Sequence, residues 1–166
     1  MIDLIEHFQL AVQNLPVSHV WRGHGSALFL ELGEVNVSVG TRRDGTPKEP
    51  FGEIGVMIEW SWRVERGSSI LCGSWSDEAL WQPAFDLLKA GRVDSLSTFG
   101  RLPEISLSLS NDVHIASFMT AEGDPTWALF DRRHQKPITI HSRSGSITRE
   151  VRTSTKRRTY LPQSRA

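Results

Sequence analysis

A stretch of fifteen residues with alternating apolar and polar character, residues 51–65, constrains the fold more than any other feature of the sequence. It reads FGEIGVMIEWSWRVE. Its even positions from 54 onward are all apolar: Ile54, Val56, Ile58, Trp60, Trp62 and Val64. Side chains on a β-strand point to opposite faces in turn, so the pattern predicts one apolar wall against a core. We therefore predict a long central strand over residues 54–65.

Further alternating segments on both sides predict a mainly antiparallel protein. The expected strands cover residues 17–22, 27–32, 35–39, 70–75, 92–99, 104–110, 113–118 and 126–130. Strands 27–32 and 35–39 are expected to form a hairpin that bends at Gly33 and Glu34. Apolar residues recur at helical spacing in residues 2–14 and 77–90, which predicts two helices. The predicted fold is α+β, with a curved antiparallel sheet of about six to nine strands, an N-terminal helix and one helix between two sets of hairpins.

The charge is divided unevenly along the chain. Residues 132–166 contain ten Lys or Arg and one acid, whereas residues 1–131 contain nine basic and eighteen acidic residues. We therefore divide the chain into a domain of residues 1–130 and a basic tail of residues 131–166, which is rich in Ser, Thr and Arg. In the tail we expect at most an edge strand at residues 138–140 and no regular structure from residue 141 onward.

Two interpretations of the basic tail remain open. The first, which we favour, is a solvated segment that lies along its own acidic domain. The second is an arm that binds nucleic acid through its densest cluster, Lys156, Arg157 and Arg158.

The sequence also indicates the cellular compartment in which the protein is expected. The single Cys72 cannot form an internal disulfide, which is typical of a reducing cytoplasm. The first residues lack the basic region of a signal peptide, and no apolar run approaches the roughly 20 residues that cross a bilayer. We expect a cytoplasmic protein that does not bind a membrane.

Catalytic patterns are weak in this sequence. His19, His24 and Ser26 are close in sequence, but their spacing matches no zinc-binding pattern, and no Gly-x-Ser-x-Gly motif surrounds the serine. No phosphate-binding Gly-Lys-Ser or Gly-Lys-Thr occurs either. We expect no metal and no cofactor. A small hydrolase or metal enzyme that uses these three residues is the least favoured hypothesis.

Tryptophan is the more informative residue type, since the chain has six tryptophans and one tyrosine. Three of them lie near predicted strand ends or a helix start. The plainer interpretation of each is a place in the core. The alternative is an indole ring that remains exposed beside acidic residues. Such a surface suits protein binding, because tryptophan is enriched among the residues that contribute most to interfaces. The predicted binding residues are Trp21, Trp75 and Trp81, with the acids Asp77 and Glu78.

The order of parts over residues 27–130 also shows a resemblance. Two strands are followed by GSWSD at residues 73–77, a helix that ends in LLKAG at residue 91, LSL at residues 107–109, the turn Asn111-Asp112, and WAL at residues 127–129. This order resembles small uncharacterised bacterial domains built as hairpin, helix and hairpin with a closing Trp-x-Leu. In those domains the second hairpin typically bends at Asp-Gly, and in this chain Asn111-Asp112 stands in that place. The resemblance implies no catalytic residues and a binding role of the immunity or accessory type.

The sequence thus predicts a non-enzymatic domain that binds another protein. A nucleic-acid-associated module using the basic tail is the alternative, and the hydrolase or metal enzyme is the second alternative.

Overall fold

The computed structural model describes residues 3–37 and 39–150, and this part of the chain forms an α+β fold with two helices and eleven strands. The helices are α1 (Leu4–Val12) and α2 (Trp81–Lys89), the second preceded by a 3₁₀ turn, Glu78–Leu80. The strands are β1 (Val17–Arg22), β2 (Leu28–Asn36), β3 (Phe51–Ile58), β4 (Trp62–Arg66), β5 (Ser69–Gly73), β6 (Val93–Phe99), β7 (Glu104–Leu109), β8 (Val113–Ser117), β9 (Trp127–Asp131), β10 (Ile138–Arg143) and β11 (Ser146–Arg149). The predicted fold class, with an N-terminal helix and a helix between two strand sets, is confirmed.

The strands divide into two antiparallel sheets. The six-stranded sheet has the order β1-β2-β3-β9-β10-β11, and the five-stranded sheet has the order β5-β4-β8-β7-β6. Apolar side chains of both sheets meet in one continuous core. Helix α1 contacts β6 and β9, and α2 contacts β1 and β5, so each helix joins one sheet to the other.

The alternating stretch that we predicted as one strand is two strands in different sheets. β3 ends at Ile58 in the six-stranded sheet, and β4 begins at Trp62 in the five-stranded sheet. Trp62 and Val64 are buried in the same core as Ile58, whereas Trp60 lies in the connection and is half-buried. The apolar wall is therefore real, but the chain crosses from one sheet to the other within it. Alternation cannot reveal this crossing because both strands face the same core.

The predicted hairpin at residues 27–39 is wrong. β2 is one continuous strand that pairs with β1 on one side and β3 on the other. Leu32 lies opposite Ile54 and Val35 opposite Gly52, so the extra residue in β2 forms a β-bulge at Gly33 and Glu34. Gly33 has a φ of 81°, which glycine adopts without steric cost in a bulge as readily as in a turn.

Structure continues beyond the residue at which we expected it to end. β10 pairs with β9, and β11 pairs with β10, so the expectation of no regular structure from residue 141 is wrong for residues 141–149. His141 and Ser142 are buried in this part of the sheet. Ser144 and Gly145 both have positive φ, 50° and 74°, as a tight β-hairpin turn requires. Residues 151–166, which include Lys156, Arg157 and Arg158, lie outside the described residues.

The two helices bury one face each. The Asp3 side chain accepts a hydrogen bond from the backbone N–H of Ile5 at the start of α1. Helix α1 buries Phe8, Ala11 and Val12, and α2 buries Trp81, Ala84, Phe85 and Leu88. Leu80, within the helix predicted over residues 77–90, belongs to the 3₁₀ turn instead and is exposed. Within residues 3–37 and 39–150, neither helix has the length and apolar character needed to cross a membrane.

Candidate functional site

Trp75 is the most exposed tryptophan in the described part of the chain, with 87% of its surface accessible. It lies in the short connection between β5 and the 3₁₀ turn, and hydrogen bonds hold this connection on both sides of it. The Ser74 N–H donates to the Trp62 carbonyl at 2.9 Å, and the Gly73 N–H donates to Oγ of Ser76 at 2.9 Å. The indole therefore projects into solvent from a fixed backbone, which lowers the entropy lost when it is buried by a partner.

Other exposed apolar side chains and two acids accompany Trp75 in residues 69–80, which we call the binding segment. Ile70 and Leu80 are exposed, at the two ends of the segment. The Asp77 carboxylate accepts a hydrogen bond of 3.0 Å from the Ala79 N–H, and so caps the 3₁₀ turn. Glu78 is exposed and forms an ion pair of 2.8 Å with Arg22. The segment therefore combines apolar anchors with acidic residues.

The binding segment also contains a sheet edge. Among the described strands, β5 pairs only with β4 and lies at the end of the five-stranded sheet. An edge strand has backbone N–H and C=O groups on its outer side that a partner strand can pair with.

Trp81 is buried, with 6% of its surface accessible. This place in the core agrees with the plainer interpretation of the sequence and corrects the inclusion of Trp81 among the predicted binding residues. Its ring packs edge-to-face on Trp62, with the centroids 5.1 Å apart, and against Phe85. The guanidinium of Arg22 lies 4.5 Å from the centre of the Trp81 ring. The structure therefore places Trp81 in the core below the binding segment. Sequence alone did not distinguish it from Trp75, since both follow β5 within ten residues.

Trp21 lies on the outer face of the six-stranded sheet, half-buried. Its ring stacks on Phe29 with the centroids 4.0 Å apart, and its Nε1 donates to the Glu31 carboxylate at 3.3 Å. Glu31 is itself buried and pairs with Arg132 at 2.8 Å. Trp21 thus belongs to a polar and aromatic network of β1 and β2, whereas Trp75 follows the edge strand of the other sheet.

The histidine and serine residues named above do not come together as a catalytic group. Nε2 of His19 lies 2.8 Å from a carboxylate oxygen of Glu49. Ser26 Oγ donates to the Trp60 carbonyl at 2.9 Å, and the Ser26 carbonyl accepts from Trp62 Nε1 at 2.7 Å. Within the described residues no hydrogen bond joins Ser26 to a histidine, and no cluster of three His, Cys, Asp or Glu side chains is arranged to hold a metal ion. Ser26 instead links the turn before β2 to the crossing between the two sheets.

Sequence reasoning missed a cavity of about 310 Å³ at one end of the molecule. The β6–β7 turn, the β8–β9 connection and the β10–β11 turn line this cavity. Because these loops are far apart in sequence, no local motif marks the cavity. The only signal was the density of Gly, Pro and Ser residues at each turn.

No protein-family model matches this chain, and no curated protein or solved structure is significantly similar to it. The predicted resemblance to small bacterial domains therefore stays a prediction. Proposals about function depend on the geometry of the chain itself.

Proposed function

We propose that this chain is a protein-binding domain of the immunity or accessory type, and that the binding segment contacts its partner. The observation that supports the proposal is the exposure of the Trp75 indole on a hydrogen-bonded backbone. Buried tryptophans at interfaces are among the side chains that contribute most to affinity. An indole that is exposed to solvent contributes little to the stability of the isolated domain. A role in binding therefore explains the exposure of Trp75 better than a role in folding does.

The chemistry of the segment suggests the kind of surface it would contact. We propose a partner with an apolar pocket for Trp75, bordered by basic residues. Asp77 and Glu78 follow Trp75 closely in the chain and are exposed, with Glu78 paired to Arg22. The described residues together carry nineteen acidic and fourteen basic side chains. Opposite charge on the partner would accelerate association and fix the orientation of the complex.

We further propose that the protein acts in a reducing cytoplasm without catalysing a reaction. Cys72 is buried, and burial raises the pKa of its thiol. A buried, protonated thiol is a poor nucleophile and a poor metal ligand. It packs as a small apolar residue, which is consistent with a structural role.

The first test replaces the exposed indole. Trp75→Ala should lower affinity for the physiological partner about 30-fold, which corresponds to a loss of about 2 kcal/mol for a residue central to an interface. Leu10→Ala is the matched control, because Leu10 is an exposed apolar residue on α1 with 62% of its surface accessible. Tagged wild-type protein and both variants would be used to capture partners from source cells, and the affinity of each recovered partner would then be measured. A partner that Trp75→Ala binds as tightly as wild type would contradict the proposal.

The nucleic-acid hypothesis remains the alternative because residues 151–166 contain five Lys or Arg and no acid. If it holds, the full chain should shift a labelled duplex in a gel at about 50 mM salt and much less at about 200 mM salt. A chain truncated after Glu150 should show no shift. This truncation point keeps β10 and β11 intact, whereas one at residue 140 would cut through the six-stranded sheet. Binding that survives the truncation would remove the hypothesis.

A further inference from the structure

The cavity at the end of the molecule lies where three connections meet: residues 100–103 between β6 and β7, residues 118–126 between β8 and β9, and residues 144–145 between β10 and β11. Its volume of about 310 Å³ lies at the lower limit of small-molecule sites, which range from about 300 to 1,000 Å³. Loops held on a rigid scaffold are where binding residues usually lie.

The carboxylate of Glu104 is held in a fixed position in the cavity wall. The Met119 N–H donates to Oε1 of Glu104 at 2.8 Å, and the Ser117 hydroxyl donates to Oε2. Ser117 is fully buried, and its Oγ accepts a hydrogen bond of 3.0 Å from the Ile105 N–H. This second bond directs the hydroxyl proton toward Glu104. A carboxylate can accept about four hydrogen bonds, so Glu104 keeps lone pairs for a ligand.

The surroundings of the cavity are also held in place before any ligand binds. The Pro103 carbonyl accepts a hydrogen bond of 2.8 Å from Nε1 of the fully buried Trp127. The Thr126 N–H donates to the Ser142 carbonyl at 3.0 Å, which ties the β8–β9 connection to β10. Gly123 lies so close to Trp60 that a Cβ there would be 2.1 Å from Cη2 of the indole. A cavity of fixed shape costs little entropy to fill.

The charge of the lining indicates which ligand fits. Among the described residues, the lining has two carboxylates, Glu104 and Glu122, and neither lysine nor arginine. The nearby Arg143 is paired with Asp124. Apolar surface comes from Leu102, Pro103 and Met119, and hydroxyls come from Thr and Ser side chains. We propose that this cavity binds an organic cation, whose ammonium or guanidinium group bonds to Glu104 while its alkyl part contacts Met119 and Leu102.

The same chemistry can come from a free amine or from a lysine or arginine side chain of a peptide. NMR titration of the full chain with butylammonium, with N-acetyl-lysine methylamide and with a capped lysine-containing tripeptide distinguishes these sources. Equal affinity for all three indicates a small amine as the ligand, and much tighter binding of the tripeptide indicates a peptide side chain. Butanol, the neutral counterpart of butylammonium, should not bind. The backbone amides of Met119 and Gly123 should shift with the cations only.

Variants test the role of the carboxylate. Glu104→Gln should weaken cation binding at least tenfold, whereas Glu122→Gln, at the exposed rim, should weaken it about twofold. If Glu104→Gln unfolds, Thr120→Lys tests the same proposal, because Thr120 is exposed and a lysine there should repel the cation. The proposal is overturned if butanol binds as well as butylammonium, or if none of the three cations shifts these amides. It is also overturned if a folded Glu104→Gln or Thr120→Lys keeps wild-type affinity. The inference does not depend on the binding segment, whose variants should leave cation binding unchanged.

Discussion

Replacing Gly52 with alanine is expected to lower the free energy of unfolding by about 3 kcal/mol, the upper end of the range for overpacking a buried site. A Cβ on Gly52 would lie 2.4 Å from the carbonyl oxygen of Leu32 and 2.7 Å from its nitrogen. Both contacts are with the backbone of the neighbouring strand, which cannot move aside as a flexible side chain can. Relief of the clash therefore requires β2 and β3 to separate at the bulge.

The separation would also disturb a buried ion pair. The Gly52 N–H donates to the Glu31 carboxylate at 3.0 Å, and the Gly52 carbonyl accepts from Arg132 at 3.0 Å. Glu31 is buried and depends on these partners. A shift of Gly52 leaves the carboxylate with fewer hydrogen bonds, which adds to the steric cost.

Gly45→Ala is the matched control for this prediction. Gly45 has a φ of 83°, and nothing lies within 4 Å of the position that its Cβ would take. Alanine there should cost only about 1 kcal/mol, from the backbone conformation alone. Chemical denaturation of both variants and wild type measures the difference. Equal losses of stability in the two variants would show that Gly52 is not confined as the bulge requires.

The sequence was most informative where a strand alternates and a turn follows at once. In β7, Ile105, Leu107 and Leu109 are buried and the residues between them are not, as predicted. Asn111 and Asp112 then turn the chain into β8, and Asp112 takes a positive φ of 60°. Here local pattern and tertiary packing agree, because one face of the sheet meets the core and the other meets water.

Prediction of secondary structure from the sequence failed where one local pattern is compatible with two different structures. Gly33 followed by Glu34 is compatible with a hairpin turn and with a bulge, and the choice depends on β1 and β3, which pair with β2 on both sides. The crossing at residues 59–61 is hidden for a related reason, since both sheets present their apolar faces to one core. In β10 and β11 the side chains are mostly polar, and backbone pairing with β9 makes them strands.

The candidate sites depend still more on tertiary structure. Sequence marked Trp75 and Trp81 alike, and only the packing of α2 shows that one indole is exposed and the other is in the core. In the sequence, Glu104 is only one of several polar residues that alternate with apolar ones in the strand predicted over residues 104–110. Its position in the cavity depends on Ser117, the last residue of β8, and on Met119 just after that strand, both more than ten residues away in sequence.

Asp131 connects the end of β9 to α1 and to the following loop. Its side chain is fully buried, and it accepts hydrogen bonds from Nε of Arg133 at 3.0 Å and from Nη2 at 2.8 Å. Nε2 of His7, on α1, lies 2.9 Å from Oδ2 of Asp131, the same oxygen that accepts from Nη2 of Arg133. Burial alone raises the pKa of the Asp131 carboxyl, but the hydrogen bonds from Arg133 and His7 outweigh it and hold this pKa well below its usual range.

Asp131→Asn should therefore lower the free energy of unfolding near neutral pH by about 3 kcal/mol, the lower end of the range for breaking a buried ion pair. The amide cannot accept two bonds from the guanidinium, and it leaves His7 without a charged partner. Asp94→Asn is the control, because Asp94 is an exposed aspartate in β6 and its replacement should change stability by less than about 0.5 kcal/mol. Urea denaturation at pH 7 measures all three proteins.

The pH dependence of the free energy of unfolding shows whether Asp131 stabilises the fold through its charge or only by filling space. Because the folded-state pKa of Asp131 is depressed, its contribution is complete above the unfolded value of about 3.9 and is lost as the pH falls toward the folded value. Wild type should therefore lose stability below about pH 4, and Asp131→Asn should lose less over the same interval, so that the two curves converge. If the gap between wild type and Asp131→Asn stays constant from pH 7 to pH 2.5, the paired carboxylate is not the source of the stabilisation.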